Sequence, residues 1–257
     1  MVSPSQKNWI LIRGLSRGAG HWASFQNKLS EHFPHDHFYY IDIPGNGYLN
    51  QITTPLAISN FIPHFEKQLF EQKFNQELPT YGLSLSLGSM AMVEWSKQYP
   101  HLFQKIILMN TSAANFSNIF QRLSPTALLL GFKLLINKKN LYQREILSLL
   151  ATTSLNQSQI ESNYKYDLEL IEQFSKKYAT KPSNTFRQLF SAAFYSFPDK
   201  PPYPVLLLNG AKDKFVSPQC SHALARNWNV TLQIHPEAGH DIAFQYPNWV
   251  IDWMKQI

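Results

Sequence analysis

An α/β fold, with a mostly parallel, doubly wound sheet of about six strands, is what this sequence predicts. Three observations carry that expectation. Short apolar runs recur along the chain, helical patterns separate them, and Gly, Pro, Asn and Asp punctuate the junctions. A chain of 257 residues is long enough for one large domain with a substantial core. Its 44% hydrophobic and 16% charged residues fit a globular protein rather than a disordered one.

The apolar runs place strands near residues 8–13, 38–42, 78–83, 105–110, 204–209 and 231–235. Helices are expected near residues 22–32, 55–74, 88–99, 218–227 and 247–256. Right-handed crossovers would stack these helices on both faces of the sheet. Between Ala113 and Pro198 the rhythm breaks. Residues 125–136, 142–150, 160–178 and 184–197 are all helix-like, and none is followed promptly by a strand. We therefore expect a helical lid, residues 113–198, inserted after the fourth strand over the sheet's C-terminal edge. Residues 1–112 and 199–257 would form the core. The apolar run 127–132 is too short to span a bilayer, and packing against the site or core is expected of it.

Composition excludes several classes. The formal charge of +6 raises nucleic acid as a partner, but ten Lys or Arg against five Asp or Glu between Ala113 and Pro198 supply +5 of it. Those charges are scattered apart from Lys138-Lys139 and Lys176-Lys177, and no nucleic-acid motif accompanies them. A solvated basic surface is expected, with no nucleic-acid partner. No apolar run suffices for stable membrane insertion, and Trp9 to Ile12 lacks the features of a signal peptide. The single cysteine, Cys220, forbids an internal disulfide, which makes the cytoplasm the default location. Cys220 itself reads as a buried structural thiol. The cluster His32, His35 and His37, with Asp36, lies on the edge away from the expected site and has no fixed ligand spacing, so no metal is expected there.

In such sheets, ligands bind beyond the C-terminal ends of the strands. Ser86 sits at one such end, in Leu83-Ser84-Leu85-Ser86-Leu87-Gly88-Ser89-Met90, between an expected strand and helix. A serine on that turn has its hydroxyl lifted out of the sheet beside backbone N–H groups. A hydroxyl is a weak nucleophile and needs a base oriented by an acid. Asp213 follows Leu206-Leu207-Leu208-Asn209-Gly210, and His240 follows Ile234-His235 through Pro236-Glu237-Ala238-Gly239. Ser86, Asp213 and His240 thus stand at three strand ends, in the order expected for nucleophile, acid and base. Ser84 is placed in or beside the strand, Asp42 is read as a loop-fixing acid, and Asp241 is too close in sequence to His240 to face its ring. Oxyanion donors are expected from the backbone N–H of Leu87 and, in the loop after the first strand, of Leu15. His21 and Trp22 either begin the next helix or line the pocket. Arg13 and Arg17 are read as solvated side chains or as contacts for an acidic substrate group.

Taken together, Arg13-Gly14-Leu15 with Gly20-His21-Trp22, Asp42-Ile43-Pro44-Gly45-Asn46-Gly47, the serine turn, Gly210-Ala211-Lys212-Asp213 and Ala238-Gly239-His240-Asp241 resemble the α/β-hydrolase superfamily over nearly the whole chain. The closest likeness is to bacterial hydrolases with an Arg-Gly-Leu loop and a Ser-Leu-Gly-small-Met elbow. The resemblance implies the α/β-hydrolase fold and a Ser86–His240–Asp213 machinery acting on an ester or related acyl bond of a small molecule. It implies neither metal nor organic cofactor. An acyltransferase or thioesterase on the same residues is the alternative, and a ligand-binding protein of the same fold the third reading. Aspartate at the position of Ser86 marks relatives that run dehalogenation or epoxide hydrolysis, which disfavours both. Three departures stand out: no equivalent of the usual N-terminal antiparallel strands is expected ahead of the first strand, Arg13 stands where many relatives have histidine, and Ser84 replaces the elbow's first glycine. The aliphatic and aromatic content of the insertion suggests an apolar acyl group.

Overall fold

The computed structural model describes residues 6–125, 129, 140–201 and 203–257. Strands β1 (Asn8–Ile12), β2 (His37–Ile41), β3 (Thr80–Leu85), β4 (Lys105–Met109), β5 (Val205–Gly210) and β6 (Thr231–His235) form one sheet in the order β2-β1-β3-β4-β5-β6. Every neighbouring pair is parallel. The all-parallel sheet with flanking helices is the expected fold. Central strands β1 and β5 are buried along their full length, as strands covered on both faces must be. The edge strands β2 and β6 are partly exposed.

Successive side chains along each strand enter opposite layers. Ile10, Ile12, Ile106, Leu108 and Leu207 join one core cluster, with Ile62 and Phe65 of α2 (Ile62–Glu71), Val93 and Trp95 of α3 (Leu87–Gln98), and Leu224 of the helix Pro218–Trp228. Trp9, Leu11, Leu83, Ile107 and Leu206 join the other, with Leu29 of α1 (Phe25–His32) and Ile251 of the helix Pro247–Met254. Helix α3 is buried almost throughout, so the turn that feeds it cannot shift freely.

The strand order reverses between β1 and β3, whose C-terminal ends open a crevice at that switch point. Between β4 and β5 the described residues are helical: α4 (Ile119–Arg122), α5 (Leu141–Thr152), α6 (Gln157–Asn163), α7 (Lys165–Tyr178) and α8 (Pro182–Ala193). The helix expected at 125–136 and the run 127–132 fall almost wholly outside the described residues. Ile146, Leu149, Ile160, Leu168 and Ile171 form a third cluster with Ala23 and Phe244. α8 docks through polar groups: Gln188 Nε2 donates to Asn46 Oδ1 (2.7 Å), Asn184 Oδ1 accepts from Thr54 N–H (3.0 Å), and Gln188 Oε1 accepts from Ser16 N–H (2.9 Å).

Local boundaries differ where side chains override the apolar pattern. β3 runs through Leu85 rather than stopping at Leu83, because Ser84 satisfies its buried hydroxyl with Ser89 Oγ and the Ile107 carbonyl. The single helix expected at 22–32 is a short 3-10 turn, Ala19–Trp22, then Ala23 at φ 45°, then α1. The helix expected at 160–178 is two, broken at Tyr164. The short helices Ile119–Arg122 and Ile242–Gln245 had no counterpart in the apolar pattern.

Candidate active site

Ser86 follows β3 at φ 56° and ψ −119°, a strained conformation for a residue with a side chain, immediately before α3. The turn is over-determined. Ser86 N–H donates to Met109 O (2.9 Å), and the Ser86 carbonyl accepts from Ser89 N–H (2.9 Å) and from Thr111 Oγ1 (3.1 Å). Gly88 lets α3 approach β1: a Cβ there would lie 2.5 Å from the carbonyl oxygens of both Ile12 and Arg13. Gly88→Ala is therefore expected to destabilise by about 1–3 kcal/mol, as forced overpacking does, and to lower labelling of Ser86 by a fluorophosphonate. Ser84→Gly, which restores the more usual residue of the motif, loses a hydroxyl's hydrogen bonds, worth about 1 kcal/mol, and adds the conformational cost of glycine inside a strand, about 0.5–1 kcal/mol. Labelling of both variants checks the contrast, because Ser84→Gly leaves the close approach at Gly88 intact and is expected to label like wild type. An equal or larger loss of labelling in Ser84→Gly would contradict it.

His240 Nδ1 lies 2.7 Å from Asp213 Oδ2. All of Asp213's remaining acceptor directions are used: Oδ1 accepts from the N–H groups of Phe215 (2.8 Å) and Val216 (2.9 Å), and Oδ2 also accepts from Asn110 Nδ2 (2.9 Å). A carboxylate held by four donors keeps its orientation toward the imidazole. Ser86 and His240 line the same cavity, of about 440 Å³, and no hydrogen bond joins them. Such bonds often tighten only when substrate binds.

Leu15 and Leu87 flank Ser86 at a smaller cleft of about 70 Å³ that meets the larger cavity at Ser86 and Phe215. The Leu15 N–H makes no hydrogen bond with another described residue. Leu87 opens α3, where a backbone N–H has no intrahelical acceptor. Both donors are thus unengaged beside the serine. The loop carrying Leu15 is fixed from below by Asp42, whose carboxylate accepts from Ala19 N–H (2.6 Å) and Tyr48 N–H (2.7 Å). Burial pushes the Asp42 carboxyl up to about 6, against those two donors.

Residues 37–245 match the model of the family described as serine aminopeptidase, S33. The chain belongs to this family. It is an α/β-hydrolase, and solved structures of that fold superpose along nearly its whole length. An esterase from Exiguobacterium antarcticum is 11% identical with a TM-score of 0.73, covering 98% of this chain and 91% of its own. A thermophilic esterase from Thermogutta terrifontis is 16% identical with a TM-score of 0.71, over 98% and 89%. An α/β-hydrolase fold protein from Chitinophaga pinensis is 17% identical with a TM-score of 0.73, over 99% and 90%. At such identities the likeness shows the fold. A search of curated proteins returned no match.

In this hydrolase both arginines are ion-paired and neither is a freely solvated side chain. Arg13 is buried and forms a bidentate ion pair with Asp241, Nη1 to Oδ1 at 2.9 Å and Nη2 to Oδ2 at 2.5 Å, while its guanidinium lies 4.9 Å from the Trp22 ring. Burial alone would raise the Asp241 carboxyl, but the charge and hydrogen bonds of Arg13 outweigh it and hold the group below its ordinary range. Arg17 pairs with Glu145 of α5 at 2.5 Å and donates to Ser148. Both arginines line the cavity with their charge paired to a carboxylate. His21 lines the cavity, whereas Trp22 lies in the core beneath Arg13. The residue that sequence reasoning missed is Asn110, at φ 46°, whose amide holds Asp213 and contacts the Gly239 carbonyl (3.3 Å). Its place at the end of β4, beside β5, was the available signal. Cys220 is buried and its thiol is pushed up by that burial. His32, His35 and His37 are exposed, and no group of metal-ligating side chains is found among the described residues. Among those residues, no helix is long and apolar enough to cross a membrane.

Proposed function

We propose that the protein is a serine hydrolase that cleaves a carboxylic ester or related acyl bond of a small molecule through an acyl-enzyme on Ser86. The observation that carries this reading is one cavity lined by Ser86, the Leu15 loop and His240, with His240 held by a fully hydrogen-bonded Asp213. In this mechanism His240 Nε2 takes the Ser86 proton as Oγ attacks the carbonyl carbon, and the imidazolium is stabilised by Asp213. The N–H groups of Leu15 and Leu87 receive the oxyanion. His240 returns the proton to the leaving oxygen, then deprotonates the water that attacks the acyl-enzyme, and Ser86 is regenerated.

Two compartments meeting at Ser86 suit a substrate with a group on each side of the scissile bond. Leu87, Met90, Ile119 and Val216 make the smaller one apolar. Leu141, Phe186 and Leu189 supply apolar wall to the larger one from the helices between β4 and β5, which supports reading residues 113–198 as a lid and the substrate as partly apolar. A cytoplasmic location is part of the same proposal, on the strength of the lone buried cysteine.

A fluorophosphonate probe followed by peptide mass spectrometry tests the assignment. Wild type is expected to be labelled at Ser86 and Ser86→Ala to remain unlabelled. Labelling elsewhere, or equal labelling of the variant, would remove Ser86 as nucleophile. Supplying alcohol or amine acceptors during p-nitrophenyl ester turnover, and identifying the acyl product, separates hydrolysis from acyl transfer.

A further inference from the structure

The larger compartment carries a polar arrangement that the acyl-transfer machinery does not use. His21 is buried on the 3-10 turn after β1 and lies against α7, its ring edge-on to Phe174 at 5.2 Å. Gly18 N–H donates to His21 Nδ1 (3.0 Å), nearer than the Gly18 carbonyl at 3.3 Å from the same nitrogen, and on that geometry we assign Nδ1 as the acceptor. The ring's proton therefore sits on Nε2, which lies 3.0 Å from Ser175 Oγ on α7. Burial and the charges of Arg17 and Arg13 hold the imidazole well below its usual range, which favours the neutral ring. Nε2–H donates, and Ser175 Oγ accepts.

That direction decides what Ser175 can do. Its hydroxyl proton must point away from His21, and Ser175 makes no other hydrogen bond among the described residues. Yet the residue is 95% buried by its 5% exposure and lines the cavity. A buried donor with no acceptor costs about 1–3 kcal/mol. Neighbouring hydroxyls on the same wall do have acceptors: Thr180 donates to Asn46 Oδ1 (2.9 Å) and Thr152 to the Ser148 carbonyl (2.9 Å). Ser148 is the partner case, because its Oγ accepts from Arg17 and its own proton is likewise turned from that donor.

We infer that Ser175, held by the tautomer of His21, is a substrate-binding residue that donates to an oxygen acceptor on the part of the substrate lying in the larger compartment. The substrate class is then an ester with an ether, carbonyl or hydroxyl oxygen in one arm, in place of a wholly hydrocarbon arm. This rests on the serine-hydrolase reading for its substrate, while the subsite itself concerns binding. A site built to satisfy a polar group discriminates against the analogue that lacks it.

The test uses p-nitrophenyl hexanoate and the series of its analogues in which one CH₂ is replaced by oxygen. Wild type is expected to favour one oxygen position over hexanoate by about fivefold in kcat/KM, the scale of one neutral hydrogen bond. In Ser175→Ala that ratio falls to about one. His21→Gln, whose amide can accept from Gly18 and donate to Ser175, keeps the preference, whereas His21→Leu loses it. The same pairs built as non-cleavable methyl ketones and titrated calorimetrically into Ser86→Ala report binding without turnover. If wild type cleaves none of the esters yet the ketones show the Ser175-dependent preference, the hydrolase reading fails and the subsite stands. Cleavage and binding with no preference for any oxygen position, or a preference that survives in Ser175→Ala, overturns the subsite.

Discussion

Removal of the imidazole in His240→Ala is expected to lower p-nitrophenyl ester turnover on the order of a million-fold, and combining it with Ser86→Ala should lower it little further. In the proposed mechanism nucleophile and base act as one unit, so the second loss removes nothing the first has left working. Asp213→Asn is expected to lose less, roughly ten-thousand-fold. The reason is local. Asp213 Oδ2 accepts from both His240 Nδ1 (2.7 Å) and Asn110 Nδ2 (2.9 Å). An amide NH₂ placed there would oppose one of those donors, favouring the wrong tautomer of His240 or displacing its ring. Steady-state kinetics on purified variants with unchanged melting temperatures is the measurement. Turnover in His240→Ala within tenfold of wild type would exclude the imidazole as base.

The second large effect concerns stability. Arg13→Ala leaves Asp241 buried with its neutralising partner gone, a change that costs about 3–5 kcal/mol and on the order of 10 °C in Tm for a domain of this size. Its pH dependence distinguishes the mechanism from lost packing. In the wild type the folded state holds the Asp241 carboxyl below its ordinary range, so its contribution is complete above that range and is lost as pH falls through the depressed folded value. Without Arg13, desolvation dominates and the folded carboxyl is raised instead. The folded variant then binds a proton that the unfolded chain has released, and its stability falls as pH rises. The Tm deficit relative to wild type should therefore widen from pH 5 to pH 8. A deficit that is constant across that range would point to lost packing against Trp22. Arg13→Ala combined with Asp241→Ala should recover part of the loss, since the stranded carboxylate goes with it.

Much of the fold was legible because a parallel sheet writes itself plainly. Strands covered on both faces read as unbroken apolar runs, and β4 and β5 were placed to within a residue or two on that ground. The elbow was legible for a different reason: Gly88 is required by two backbone carbonyls, and a requirement of that kind leaves a residue in the sequence. The environment of Arg13 was not legible. Its partner lies 228 positions away, and a charge whose partner is that remote looks identical to a solvated one. Asn110 was passed over because the search was for carboxylates, whereas its role is to hold one. The division at Tyr164 and the 3-10 turn before α1 turn on single backbone conformations that apolar periodicity does not encode.

The pairing of β4 with β5 has a consequence for how the molecule comes together. Residues 110–204 intervene between those two strands, and Ser86 lies on one side of the seam while Asp213 and His240 lie on the other. Closing a loop of that length costs only about 4 kcal/mol on a logarithmic scale, which is why so long an excursion is tolerated at this point of the fold. Its kinetic weight is greater, because contacts between distant segments must wait for that closure. Acquisition of chemical competence should therefore trail the formation of helix during refolding. The lag reports when the two halves of the sheet first meet.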